Sequence, residues 1–85
     1  MGPQDRSAGR HATPDQNSLG RVLLARREAL CLSVEEVAFR ARLGRVDMLN
    51  YEADLVVPQP RTLERLAQAL QTPAGRLLAL RRPGR

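Results

Sequence analysis

From Ser18 onward, apolar side chains recur at intervals of three and four, beginning with Leu19, Val22, Leu23 and Leu30. That spacing gathers them on one face of a helix, and Ser18 is a residue type that caps one. The period returns at Val34, Val37, Ala38 and Ala41. Ser33 precedes this stripe and Glu36 follows three residues later, the arrangement of a capping box, so the pattern predicts a second helix over about Ser33 to Ala41. A turn at Arg42 to Gly44 leads into a third helix, from Gly44 or Arg45 to Ala53. It is expected to bury Met48 and Tyr51 and to present Arg45, Val46, Asp47, Leu49 and Asn50 outward. The next stretch, Leu55-Val56-Val57-Pro58, is apolar but short and ends in proline. It is expected as a surface loop held against something and not as a central strand. Gln59 and Pro60 suit the opening of a fourth helix, whose stripe is Leu63, Leu66, Ala67 and Leu70 and whose end falls near Gln71. Thr72 as cap, with Pro73 behind it, restarts the chain as a fifth helix carrying Leu77, Leu78 and Leu80. The pattern therefore predicts an all-α domain of short helices over residues 18–80.

On either side the periodicity stops. Met1 to Asn17 are polar, small and punctuated by proline, and are expected as a disordered leader. Their two arginines and two aspartates cancel, so no strongly basic DNA-embracing arm is expected, although Arg6, Arg10 and His11 are able to touch phosphate. Residues 81–85 form a basic C-terminal tail.

Composition narrows the function classes. Eighty-five residues fit one small core, so an effector domain beside it is not expected. The net charge of +5 rests on fourteen basic residues, all arginine, which favours forked contacts to phosphate, carboxylate or guanine. Between Ser18 and Leu80, however, nine arginines meet seven acidic residues, a difference of only +2. The single cysteine, Cys31, excludes an internal disulfide framework and a zinc finger and suits a reducing cytoplasm. It stands where a helix usually ends on glycine and is expected to be a semi-buried packing residue with a small left-handed backbone penalty. The sequence has no apolar run of the roughly eighteen residues a membrane span requires and no apolar signal core, so a soluble cytoplasmic protein without a membrane partner is expected. It offers no paired histidine and carboxylate, no metal-ligand spacing and no glycine-rich phosphate loop. Neither an enzyme nor a cofactor is expected.

Taken together, Leu19-x3-Leu23, Arg27, Leu32-Ser33, Val37-Ala38, Leu43, Met48, Tyr51-Glu52, Pro58 and Leu63-x2-Leu66-Ala67-x-Ala69-Leu70 resemble the phage-repressor and Cro-like helix-turn-helix family. The likeness runs from about Leu19 to Leu78. It implies a compact five-helix, λ-repressor-like domain that binds double-stranded operator DNA, usually as a homodimer, with the third helix in the major groove. It also implies a salt bridge between Arg27 and Glu52 that ties that helix to the first. The base readers map to Arg45, Val46 and Asn50: Arg45 to guanine, Asn50 to adenine, Val46 to a thymine methyl. Phosphate contacts fall to Ser33 at the start of the second helix and to Arg40, Arg42 and Arg61. Three positions depart from the family pattern. Val34 stands where a glutamine usually bonds phosphate or base, Arg42 replaces the turn glycine, and Gly44 replaces a serine or threonine cap.

Two functions follow. The first is a sequence-specific transcriptional regulator acting as a homodimer. The second is a protein-interaction module on the same scaffold, a partner of a toxin, sigma factor or larger regulator. In either case Leu49, Leu55, Val56 and Val57 place apolar groups where the family is polar, and they are the expected dimer or partner interface, with the fifth helix as the alternative contact of the homodimer.

Overall fold

The structure is a computed structural model and describes residues 18–81. The expected leader over residues 1–17, and the tail beyond Arg81, lie outside the described residues. Five helices follow in order: α1 (Leu19–Ala29), α2 (Val34–Ala41), α3 (Arg45–Glu52), α4 (Pro60–Ala69) and α5 (Ala74–Leu80). Among the described residues there is no strand. The α2 helix packs on α3 and α4, α1 on α3, and α4 on α5. One core joins them. Leu23, Val37, Ala41, Met48, Leu63, Leu66, Leu70 and Leu77 are fully buried in it, each large apolar chain contributing about 1.5–3 kcal/mol by leaving water.

Local chemistry sets the helix starts. Ser18 accepts a hydrogen bond from the Arg21 N–H at α1. At α2 the expected capping box is complete, with the Glu36 N–H donating to Ser33 Oγ at 3.0 Å and the Ser33 N–H donating to Glu36 Oε1 at 2.7 Å. Gly44 and Gln59 occupy the cap positions of α3 and α4 without a side-chain bond. The fifth helix begins one residue later than expected, with Pro73 and not Thr72 at its cap. Thr72 is already committed: its N–H donates to the Ala67 carbonyl at 3.0 Å, closing the end of α4.

That closure is one of four of the same kind. The amides of Leu32, Leu43, Leu55 and Thr72 each reach back five residues to the carbonyls of Arg27, Ala38, Asn50 and Ala67. The residue before each, Cys31, Arg42, Asp54 and Gln71, has φ between 55° and 61°. This left-handed reversal is normally given to glycine because a Cβ there costs about 1–2 kcal/mol. The helices are therefore separated by tight turns held in place against that strain. Cys31 is exposed, not semi-buried as expected. The reversal turns its side chain away, and Leu32 behind it packs on the core instead.

Two contacts lock α3 onto α1. Arg27 donates from Nε to Glu52 Oε2 at 2.6 Å and from Nη2 to Oε1 at 3.1 Å, and its Nη1 donates to the Leu32 carbonyl at 3.0 Å. The two side chains are 14% and 8% exposed. The hydrogen bond that Arg27 donates to Glu52 raises the Arg27 pKa, ahead of the opposing effect of burial. About two turns back toward the start of α1, the Asp54 carboxylate accepts from Ser18 Oγ at 2.8 Å and from the Gly20 N–H at 2.9 Å. A negative group is thus seated on the positive end of α1. This seat exists only because residue 20 is glycine. A Cβ there would lie 2.5 Å from the Glu52 carbonyl oxygen and 2.7 Å from that of Tyr51.

Two stability measurements test these points. Glu52→Gln removes the charge from a half-buried partner of Arg27, and breaking such pairs from one side costs about 3–5 kcal/mol. We expect a melting temperature lower by at least about 10 °C for a domain of this size; an unchanged value would show that the pair does not brace the fold. Cys31→Gly relieves the left-handed strain at an exposed site while adding some unfolded-chain entropy. The net is a gain of about 0.5–1 kcal/mol, measurable by urea titration, and a loss would mean that the thiol makes a contact of its own.

Candidate nucleic-acid interface

The brace on α1 turns one side of α3 inward, with Met48 fully buried and Tyr51 half-buried. Burial, with a smaller effect from Asp47, raises the Tyr51 pKa, so its phenol stays neutral. The opposite side is open. Arg45, Val46, Asp47 and Leu49 are exposed and Asn50 is half-exposed. Of the three expected base readers, Val46 is the most prominent apolar group, at 64% exposure. A helix of 8 residues presents about two turns, enough to lay these side chains along a groove.

Arg45 is not free. Its Nε donates to Glu35 Oε2 at 2.6 Å, linking the first turn of α3 to the first turn of α2, with both side chains largely exposed at 59% and 62%. The hydrogen bond from Arg45 is the main cause of a lowered Glu35 pKa. The pair is therefore intact at neutral pH. Its contribution to stability, present above the ordinary carboxylate pKa, is lost as pH falls through the depressed value. Sequence spacing gave no signal for this contact, because the two residues come together only when the turn between α2 and α3 is formed.

The start of α2 is more acidic than a phosphate site favours. Glu35 and Glu36 both lie in its first turn. Ser33 Oγ already accepts the Glu36 N–H, which leaves its hydroxyl proton for another acceptor. Val34 packs against the core, which accounts for an apolar residue where the family places glutamine. The turn itself tolerates Arg42 in place of glycine: the residue sits at φ 61°, ψ 45° with its side chain exposed, and the Leu43 N–H closes on Ala38 at 2.7 Å. Arg40 and Arg61 are exposed as well.

Four arginines are turned to other tasks. Besides Arg27, Arg26 donates to the carbonyls of Leu70 and Gln71 at 2.8 and 3.0 Å, Arg65 to that of Ala41 at 2.8 Å, and Arg81 to that of Pro58 at 2.8 Å. Each is half-buried. They satisfy carbonyls at helix ends and in the loop before α4 that no backbone amide reaches. Beyond α3, the apolar connection is a surface loop, as expected. Only Pro58 is buried, whereas Leu55, Val56 and Val57 stand out, Leu55 at 73% exposure. The Pro58 ring anchors the segment and lets its predecessors project. Phe39 on α2, which the periodicity did not single out, is 85% exposed.

Among the described residues, no helix is long and apolar enough to cross a membrane. Comparison with known proteins bears on the whole arrangement. A family model described as a helix-turn-helix domain matches residues 18–80. No curated protein sequence matches the chain. A solved structure, the restriction-modification controller protein C.AhdI from Aeromonas hydrophila, is similar at 29% identity with a TM-score of 0.67, covering 69% of this chain and 89% of that one. With the five-helix order, the complete capping box and the braced α3 already established, the chain belongs to the helix-turn-helix domain family, in its Cro and λ-repressor-like form, and is a DNA-binding regulator.

Proposed function

We propose that the chain is a sequence-specific transcriptional regulator, without catalytic activity, that acts in the cytoplasm as a homodimer with α3 of each copy in the major groove. The observation that carries this is the combination of a rigidly braced α3 with an uncovered outer side. Base readout needs a helix whose angle to the groove does not drift. In this reading Arg45 pairs with guanine, Asn50 with adenine and Val46 packs on a thymine methyl. Ser33, Arg40, Arg42 and Arg61 contact phosphates on either side and set affinity without reading sequence. Leu49, Leu55, Val56 and Val57 meet their counterparts across a two-fold axis, which places the half-sites about one helical turn apart. Similarity to a restriction-modification controller protein supports a regulatory role of this kind.

Arg45 exchanges partners in this mechanism. Off DNA its charge is held by Glu35; on DNA the guanine edge takes its place, and Glu35 is left near phosphates that repel it. The pair therefore lowers affinity for any sequence that does not offer Arg45 a good acceptor. A second reading, a protein-interaction module, is favoured by the apolar character of Val46, Leu49, Leu55 to Val57 and Phe39. Sequence selection from random duplexes separates the two, since a preferred site with a steep salt slope supports the regulator and its absence supports the module.

Two variants give directional outcomes in the same assay. Arg45→Ala is expected to lose about 1–3 kcal/mol of discrimination at one base position per half-site while non-specific binding changes little; uniform weakening across all sequences would remove its role as a reader. Glu35→Gln is expected to tighten binding to non-specific duplex and narrow the ratio between specific and non-specific sites, because a repelling charge is lost and Arg45 is released. A wider ratio would mean that Glu35 positions Arg45 for readout instead of restraining it.

A further inference from the structure

Among the described residues, Arg21 and Arg76 are the exposed arginines that neither pair with an acidic group nor take part in the proposed DNA contact. Both line the same groove, a space of about 520 Å³ between α1 and the junction of α4 with α5. Arg26 lines it too, pinned by its bonds to the Leu70 and Gln71 carbonyls. No acidic side chain is among the lining residues, and between the arginines lie Val22, Ala25 and Pro73. The groove therefore joins an uncompensated positive rim to an apolar floor.

Its position separates it from α3. At about 100° per residue, Arg21, Val22, Ala25 and Arg26 fall on the side of α1 opposite Gly20 and Arg27, the residues that meet α3. A duplex seated on α3 lies across the thickness of α1 from this groove. An apolar floor also suits no part of a duplex backbone, whose surface is phosphate and sugar.

We propose that this groove is a docking site for an acidic peptide segment of a partner protein. The carboxylates of such a segment pair with the planar forks of Arg21 and Arg76, and a small apolar side chain between them rests on Val22, Ala25 and Pro73. Because docking occurs on the far side of α1, the partner and DNA occupy the chain together, and the groove supplies the route by which the regulator reports to another protein. The site stands whether or not α3 reads sequence, as its residues and those of α3 do not overlap.

The test uses the full chain and a short fluorescein-labelled peptide of alternating glutamate and leucine, with a glutamine-for-glutamate peptide as control. Binding is followed by anisotropy at low ionic strength and mapped by backbone amide NMR. We expect saturable binding of the acidic peptide only, with shifts at Ala25, Gln71, Thr72 and Arg76. Arg21→Glu with Arg76→Glu should weaken it by about tenfold or more, as reversal of two exposed ion pairs predicts. Arg21→Gln with Arg76→Gln gives a milder loss should the charge reversal disturb folding, which circular dichroism monitors. Non-specific duplex should not displace the peptide. Equal binding of the glutamine peptide, shifts confined to α3, no loss in either double variant, displacement by duplex, or a change of oligomeric mass in the variants would each overturn the proposal; the last two would assign the groove to nucleic acid or to a second copy of the chain.

Discussion

The attachment of α3 to α1 is the constraint on which the remainder of the molecule depends. A helix of 8 residues cannot hold itself together in water, since isolated helices shorter than about 12–15 residues are marginal. Its buried side supplies only one fully buried residue, Met48. Orientation must therefore come from its C-terminal end, where Glu52 and Asp54 grip α1 at two points a helical turn or more apart: the forked bond to Arg27, and the seat formed by Ser18 and the Gly20 N–H. Two points of attachment fix an angle where one would allow a pivot. The close approach at Gly20 is what brings both within reach.

The same constraint explains how the charge is spent. Fourteen arginines suggest a strongly basic surface, but the half-buried Arg26, Arg27, Arg65 and Arg81 are occupied with carbonyls or a carboxylate. In a fold of short helices, many carbonyls at helix ends lie between elements and out of reach of backbone amides. Arginine, with a long stem and several donors, reaches them from a neighbouring helix. Each of these bonds ties two elements that are distant in sequence. Of the ten arginines among the described residues six remain exposed, and Arg45 among them is neutralised by Glu35. Net charge is thus a poor guide to the contact face of a small domain that uses arginine as mortar.

What the sequence disclosed was local. The helical stripes, the Ser33 and Glu36 capping box, the left-handed Cys31 and the five-helix order all follow from residues within a few positions of one another. The Arg27 and Glu52 bridge came from family resemblance and not from spacing. What stayed hidden was mostly tertiary. Asp54 meets Ser18 and Gly20 across more than thirty positions, and nothing near Asp54 marks it as a cap for a distant helix. Glu35 and Arg45 meet across a turn whose geometry the sequence leaves open. Thr72 looked like a helix cap because its type suits that role, but the closing bond of α4 claimed it first. Leu55 to Val57 were expected in a surface loop and stand exposed there, but that Pro58 alone is buried and anchors the segment was not legible.

The outer side of α3 follows a different logic from its braced side. Its exposed groups include one cation already held by an anion and two apolar chains, Val46 and Leu49. A face of this kind gains little from the uniform negative field of a duplex, because bringing Glu35 toward phosphates offsets much of what Arg45 gains. In the proposed reading the attraction that remains comes from contacts that depend on fit: a guanine edge for Arg45, an adenine edge for Asn50, a thymine methyl for Val46. In the proposed homodimer such a face would trade general affinity for discrimination, with the second copy restoring the lost affinity by repeating the same contacts without adding charge to either. A modestly charged domain with a locked α3 and an exposed apolar connection beside it is internally consistent on these terms.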